Sequence, residues 1–439
     1  MNGHGAGKRI VITTFGSFGD VHPYIPLALE LKARGHRPSI ATSELYREKI
    51  EANGIDFAPL RPNLPSPDDT EAIAELSRRA MDVRTGGEFI IKELFIKPIR
   101  ETYRDLCEAS SGADLLVTHM ITYAAPIVAE KMKLRWVSTV LAPIHFYSSY
   151  DPPVPPPFPS LVKFFRLVSS LSPSLMSGLF RLVKLRVDSW AEEVYKLRAE
   201  LGLPRGANPI FEGQHSPRRV LAMFSPALAA PQPDWPSQTR VTGFCFYDRK
   251  DAAPESTRLA PELEAFLDAG EAPVVFTLGS SAVWEPGNFY TEALEAVRRL
   301  KRRAVLLVGD ATRNLPRTSL PDSIAAFDYA PYGELLPRAS VVVHPGGIGT
   351  SAQVLRAGKP ALVVPFNHDQ PDNAERLTRL GVARTLTRKR YDAAQLAKEL
   401  AQLLDNPDYT RTAERIGRQV RSEDGAKNAS DEIEEVLKR

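Results

Sequence analysis

Short β-branched runs recur along this chain, and a stretch of helical spacing follows most of them. The first series is "RIVITTF" (9–15), "RPSIAT" (37–42), "DLLVTH" (114–119), "RWVSTVLA" (135–142) and "RRVLAMFS" (218–225). The second is "PVVFTLGS" (273–280), "RAVLLVG" (303–309), "SIAAFDY" (323–329), "SVVVHPG" (340–346) and "ALVVPF" (361–366). Apolar runs this short are strands buried on both faces, and helices between them demand parallel sheets. The expectation is an α/β protein with two open sheets. A length of 439 residues suits this, because one hydrophobic core stops growing well below it. The boundaries read as 1–235 for a first domain, 236–423 for a second, and 424–439 for a terminal helix returning to the first. "PALAAPQPDWPSQTRVTGFCFYD" (226–248) reads as an irregular connector. Open parallel sheets bind ligands at the carboxyl ends of their strands.

Charge excludes little and favours little. Lys plus Arg is 56 and Asp plus Glu is 53, a formal net charge of +3, and there is no long basic run to argue for a nucleic-acid partner. Cys107 and Cys245 fit no metal or disulfide spacing and read as buried thiols. No apolar stretch is long enough for a spanning helix, and none precedes the first strand as a leader. The expected compartment is the cytoplasm.

The chemistry concentrates where strands end. "HPGGIGTSAQ" follows the run at 340–343 and opens a helix. Gly346, Gly347 and Gly349 remove side chains, so backbone N–H groups can meet an oxygen-rich ligand at a helix N-terminus. His344 and Thr350 add an imidazole and a hydroxyl, and the set suits a phosphate or pyrophosphate. The alternative is a tight turn without a ligand. A P-loop would need Lys-Ser/Thr after the glycines, and a dinucleotide fingerprint needs G-x-G-x-x-G; "GGIG" and "GSFG" (16–19) meet neither. In "TLGSSA" (277–282), Ser280 and Ser281 offer donors to the same pyrophosphate. In "FNHDQPDN" (366–373), Asp369 and Gln370 pair a carboxylate with an amide, which suits vicinal sugar hydroxyls. Asp369 as a helix cap ahead of Pro371 is the other reading.

Two segments carry a family likeness: "GSFGDVHPYIPLALELKARGH" at the start, and "YAPYGELLPRASVVVHPGGIGTSAQVLRAGKPALVVPFNHDQPDNAERLTRLGVA" in the second half. Together they resemble the nucleotide-sugar glycosyltransferases of family 1, which include bacterial natural-product and sterol enzymes. The resemblance implies the GT-B fold, two facing Rossmann-like domains with a central cleft. It implies that His344 contacts the donor α-phosphate, that Ser280 reaches the β-phosphate, and that Asp369 and Gln370 hold the sugar. Tyr329 stands where many relatives stack a tryptophan on the base. Tyr332 replaces a glutamine that often reads uracil, and Ala352-Gln353 stand where a ribose-binding acid is usual. These departures admit a dTDP donor beside UDP, with rhamnose beside glucose. Gly19, in the first loop, is counted with the donor-binding residues. The nucleotide sugar is a co-substrate, and no cofactor is implied.

The family places its base in the first loop, which is Asp20 here, with His22 two residues on. A carboxylate serves as a base near neutral pH only if burial raises its pKa. His119, ending "DLLVTH", stands where relatives put an orienting acid, so Asp20 and His119 are expected to form a swapped dyad, with the proton acceptor left open between them. Structural alternatives are a cap for Asp20, a core histidine for His119 and a helix N-terminal residue for His22. No Asp-x-Asp occurs, so the expected transfer is inverting and metal-independent. The acceptor is expected to be a hydroxylated lipophilic small molecule, such as a flavonoid, polyketide or sterol. A nucleotide-sugar epimerase or hydrolase, or a non-catalytic binder, are the rivals. Residues 158–190, two amphipathic helices broken at Pro173, either line an acceptor pocket, touch a membrane surface or pack plainly. Phe146, Tyr147, Phe158, Phe164 and Phe165 are the aromatic candidates for the aglycone. Oligomeric state is not legible.

Overall fold

The computed structural model describes residues 7–66, 69–156, 158–248, 258–315 and 320–438. They form two compact units. One holds the chain up to Ile73, Arg84–Tyr247 and Glu423–Arg439; the other holds Ala74–Val83 and Asp248–Ser422.

The first unit is built on seven parallel strands: β1 (Arg9–Thr13), β2 (Arg37–Thr42), β3 (Asp56–Pro59), β4 (Leu115–Thr118), β5 (Arg135–Val140), β6 (Val220–Ala222) and β7 (Thr239–Val241). Their order is β3-β2-β1-β4-β5-β6-β7. In the second unit β8 (Val274–Thr277), β9 (Ala304–Leu307), β10 (Ile324–Phe327), β11 (Val341–His344), β12 (Ala361–Val363) and β13 (Ala383–Thr385) lie in the order β10-β9-β8-β11-β12-β13. Both sheets are doubly wound. Winding runs outward from the first strand, then reverses across it, so the crevices lie between β1 and β4 and between β8 and β11. The central strands are fully buried: Ile10, Val11 and Ile12 in β1, and Val341–Val343 in β11, expose nothing.

Every strand expected from the two series is present, and three more were not expected. β3, β7 and β13 are edge or near-edge strands of three or four residues, too short and too exposed to carry a periodic signal. β7 corrects the domain reading, since Thr239–Val241 pair with β6 in the first sheet although they lie beyond residue 235. The expected break at Pro173 is real. Helices Val162–Leu171 and Pro173–Val187 meet at Ser172, whose side chain caps the second. Cys245 is buried, but Cys107 is only half-buried. Among the described residues no helix is long and apolar enough to cross a membrane.

The terminal helix Gly425–Lys438 packs on the helix Tyr24–Ala33 within the first unit. Arg34 reaches Asp431 and Glu434 across this contact, at 2.6 and 3.2 Å. Asn428 donates to the Thr242 carbonyl at 2.9 Å. Gly425 admits no side chain, because a Cβ there would stand 2.3 Å from the Phe244 carbonyl oxygen and 2.7 Å from that of Gly243. Backbone cannot yield cheaply, so Gly425→Ala is expected to destabilise the first unit by roughly 1–3 kcal/mol, read as a lowered denaturant midpoint.

Candidate active site

In the second unit the crevice between β8 and β11 is lined by loops that tie themselves together. His344 is the last residue of β11 and is fully buried. Its Nδ1 accepts the Gly346 N–H at 3.1 Å. Burial pushes the imidazole down to about 3, so it is neutral. A neutral ring that accepts at Nδ1 must carry its proton at Nε2. Nε2 is buried with no hydrogen-bond partner among the described residues. The fold therefore holds an unspent donor at the end of β11.

Gly346 takes φ +94°, and a Cβ there would meet Val363 at 2.7 Å and the Gln370 carbonyl oxygen at 3.0 Å. The protein itself requires that glycine. Gly347 differs, for a Cβ there would meet nothing within 4 Å, so its bareness serves space outside the loop. Gly347 caps the helix Ile348–Ala357 without a side-chain bond. Gly349 and Thr350 lie in the first turn, where backbone donors and the helix dipole favour an anion.

Asp369 does not cap its own helix, Gln370–Arg379. Its Oδ2 accepts the Ile348 N–H at 3.2 Å and Asn373 Nδ2 at 2.7 Å. Asn373 also donates to the Gly346 carbonyl at 2.9 Å. Gln370 is buried, and its Oε1 closes its own turn by accepting the Phe366 and Asn367 N–H groups at 2.8 and 3.3 Å. Ser280 is exposed and Ser281 half-buried in the short helix Gly279–Ala282 after β8. Tyr329 is exposed just past the end of β10. Tyr332 has its hydroxyl 2.7 Å from Thr277 Oγ1, so it ties the segment after β10 to the end of β8. Gln353 donates to Asp248 Oδ1 at 2.7 Å, and Arg356 pairs with the same carboxylate. Positions 352–353 carry no acid, but Asp248, far away in sequence, stands against Gln353.

In the first unit Asp20 and His119 meet at the crevice between β1 and β4. Asp20 belongs to a capping box on the helix Phe18–Val21. Its Oδ2 accepts the Ser17 N–H at 2.8 Å and the Ser17 hydroxyl at 3.1 Å. Its Oδ1 lies 3.8 Å from His119 Nε2, close but beyond a hydrogen bond. Burial raises the Asp20 carboxyl to about 6 against the opposing Ser17 bonds. Burial also pushes His119 down to about 3, with His145 nearby adding to the effect. His22 stands apart from this pair. Its ring centroid lies 5.1 Å from Phe18 and 5.0 Å from Tyr247, and burial pushes it down to about 3. The Gly19 N–H is taken by Ser17 Oγ at 3.2 Å, so it serves the cap. Among the described residues no cluster of His, Cys, Asp and Glu could hold a metal.

Residues 10–113 match the model of the glycosyltransferase family 28 N-terminal domain. Residues 291–437 match that of the erythromycin biosynthesis protein CIII-like C-terminal domain. O-mycaminosyltylonolide 6-deoxyallosyltransferase of Streptomyces fradiae is 32% identical over 437 residues, covering 97% of each chain. The chain belongs to the nucleotide-sugar glycosyltransferases. Sterol 3-beta-glucosyltransferase of Leptosphaeria maculans is 28% identical over 98% of this glycosyltransferase, which spans 29% of that protein's length. The fold is GT-B: the crystal structure of the kitacinnamycin glycosyltransferase shares it, with a TM-score of 0.75 at 21% identity over 99% of this chain and 100% of that one.

Sequence reasoning missed the braces of this glycosyltransferase. Asn373, Asp248 and Thr277 hold the loops, and none stands in a motif by itself. The aromatic candidates do not form one set. Phe146 stacks on Trp235 at 4.0 Å, Tyr147 packs edge-on to Phe211, and Phe158 and Phe164 are exposed. Gly16, first residue of the "GSFG" loop, sets Asp20. It takes φ +115°, and a Cβ there would stand 2.2 Å from Asp20 Oδ2. Gly16→Ala is expected to cut turnover about tenfold or more, as misplaced catalytic groups do, with donor affinity unchanged in a binding titration.

Proposed function

We propose that this glycosyltransferase is an inverting, metal-independent enzyme. It moves a hexose or deoxyhexose from a UDP- or dTDP-sugar to a hydroxyl of a lipophilic small molecule such as a polyketide or sterol. Asp20 is the base. Its Oδ2 is fixed by Ser17 and its Oδ1 remains for the acceptor hydroxyl. This division of the carboxylate, with the pKa raised to about 6, is the observation that carries the reading. A base works best when its pKa lies near the working pH, and His119, lowered to about 3, is the poorer candidate. His119 is a neutral ring whose Nε2 stands 3.8 Å from Oδ1 and bounds the space beside it.

As the acceptor oxygen attacks the anomeric carbon, its proton passes to Asp20, the bond from that carbon to the diphosphate breaks, and negative charge grows on the leaving oxygens. His344 Nε2–H, the bare backbone at Gly347 and Gly349, the Thr350 hydroxyl and the helix N-terminus answer that charge. Ser280 and Ser281 add hydroxyls, Asp369 and Gln370 serve the sugar, and Gln353 with Asp248 serve the ribose. Tyr329 offers a face for the base. The deoxysugar alternative draws support from the Streptomyces fradiae relative, named a 6-deoxyallosyltransferase; the lipophilic acceptor draws support from that protein and the sterol enzyme.

The base must be ionised to act, so kcat/KM is expected to rise with pH, bend at about 6 and stay level above it. Asp20→Asn should lower kcat by about 10²–10⁴-fold, abolish the bend and leave donor affinity intact. A bend that persists in Asp20→Asn would move the proton transfer to another group. Turnover unchanged by EDTA is the matching result for metal independence.

A further inference from the structure

The helices Val162–Leu171 and Pro173–Val187 turn apolar residues in two directions. Inward, Val168, Met176 and Phe180 are buried and form a small core of their own with Phe165 and Leu179. Outward, Leu171 is 77% exposed, Leu185 74%, Leu182 64%, Leu175 59%, Leu167 57% and Phe164 52%. Single exposed leucines need no explanation, but a dense stripe of them on one helical elbow marks an interaction surface. The charge pattern is one-sided. Between Asp151 and Asp188 the chain has Lys163, Arg166, Arg181, Lys184 and Arg186 and no Asp or Glu, and Lys184 pairs with Glu212. Lys163, Arg181 and Arg186 are exposed beside the apolar stripe.

We propose that this elbow is a docking surface for an anionic lipid bilayer. Apolar side chains enter the boundary between headgroups and acyl chains, and the flanking Lys and Arg meet lipid phosphates. The charge distinguishes this occupant from a second copy of the chain. A two-fold contact would set the same basic patch against itself, whereas an anionic surface satisfies the apolar and the basic residues together. The elbow lies on the membrane and does not span it, since neither helix is long enough.

The test is co-sedimentation of the full chain with vesicles of pure phosphatidylcholine and of phosphatidylcholine mixed with phosphatidylglycerol. The expected result is binding to the mixed vesicles that weakens with salt. The double variant Leu171→Glu/Leu185→Glu should reduce the partition coefficient about tenfold or more. The triple variant Lys163→Gln/Arg181→Gln/Arg186→Gln should remove the preference for the anionic lipid. Both alter exposed positions, and an unchanged thermal midpoint would show that each is folded. Failure to bind mixed vesicles, or binding indifferent to both variants, overturns the proposal. A concentration-dependent dimer lost in Leu171→Glu, with no vesicle binding, would assign the face to a second copy and overturn it too.

Discussion

A parallel sheet wound outward from its first strand in both directions must leave a crevice where the winding reverses. Both sheets here do so, at β1/β4 and β8/β11. The chain leaves each strand there with its backbone unpaired by the sheet, and the loops have to satisfy themselves. In the second unit they do it with side chains that reach across: Asn373 to Gly346 and Asp369, Asp369 to Ile348, Tyr332 to Thr277. In the first unit Ser17 and Asp20 close the loop on themselves. The bracing leaves a few polar atoms over. His344 Nε2 and Asp20 Oδ1 are such remainders.

The same economy explains the protonation states. Burial works in opposite directions on the two residue types, because it disfavours whichever form is charged. It lifts Asp20 to about 6 and pushes His344 and His119 to about 3. The carboxylate gains proton affinity, while the imidazoles stay neutral. A neutral His344 with its Nδ1 occupied can only donate from Nε2, which suits a phosphate oxygen without adding a charge that would bind ground state and leaving group alike.

Much of this was legible in the sequence because the central strands are buried on both faces and write themselves as apolar runs. The loop residues at their ends were legible as a group because His344, Gly346 and Asp369 cluster in one stretch. The meeting of Asp20 with His119 was accessible through the parallel order of β1 and β4. What escaped was set by distance along the chain or by steric fit. Asp248 reaches Gln353 from 105 positions away. Gly16 is needed because Asp20 fills the space beside it, which no glycine count reveals. Tyr332 read as the replacement of a glutamine that often reads uracil, and the Thr277 partner of its hydroxyl could not be read from the chain. The short strand β7 lacks the length to show its period, and with it went the true end of the first unit's sheet.

On the proposed function, the β8/β11 crevice holds a nucleoside diphosphate sugar through backbone donors and His344 Nε2–H. Calorimetric titration of the purified chain with UDP-glucose and with dTDP-rhamnose, in EDTA, tests it most directly. One of them is expected to bind without metal, and His344→Ala to weaken the binding by about tenfold, the loss of one hydrogen bond to a charged group. Binding of neither, or equal affinity in His344→Ala, would contradict it.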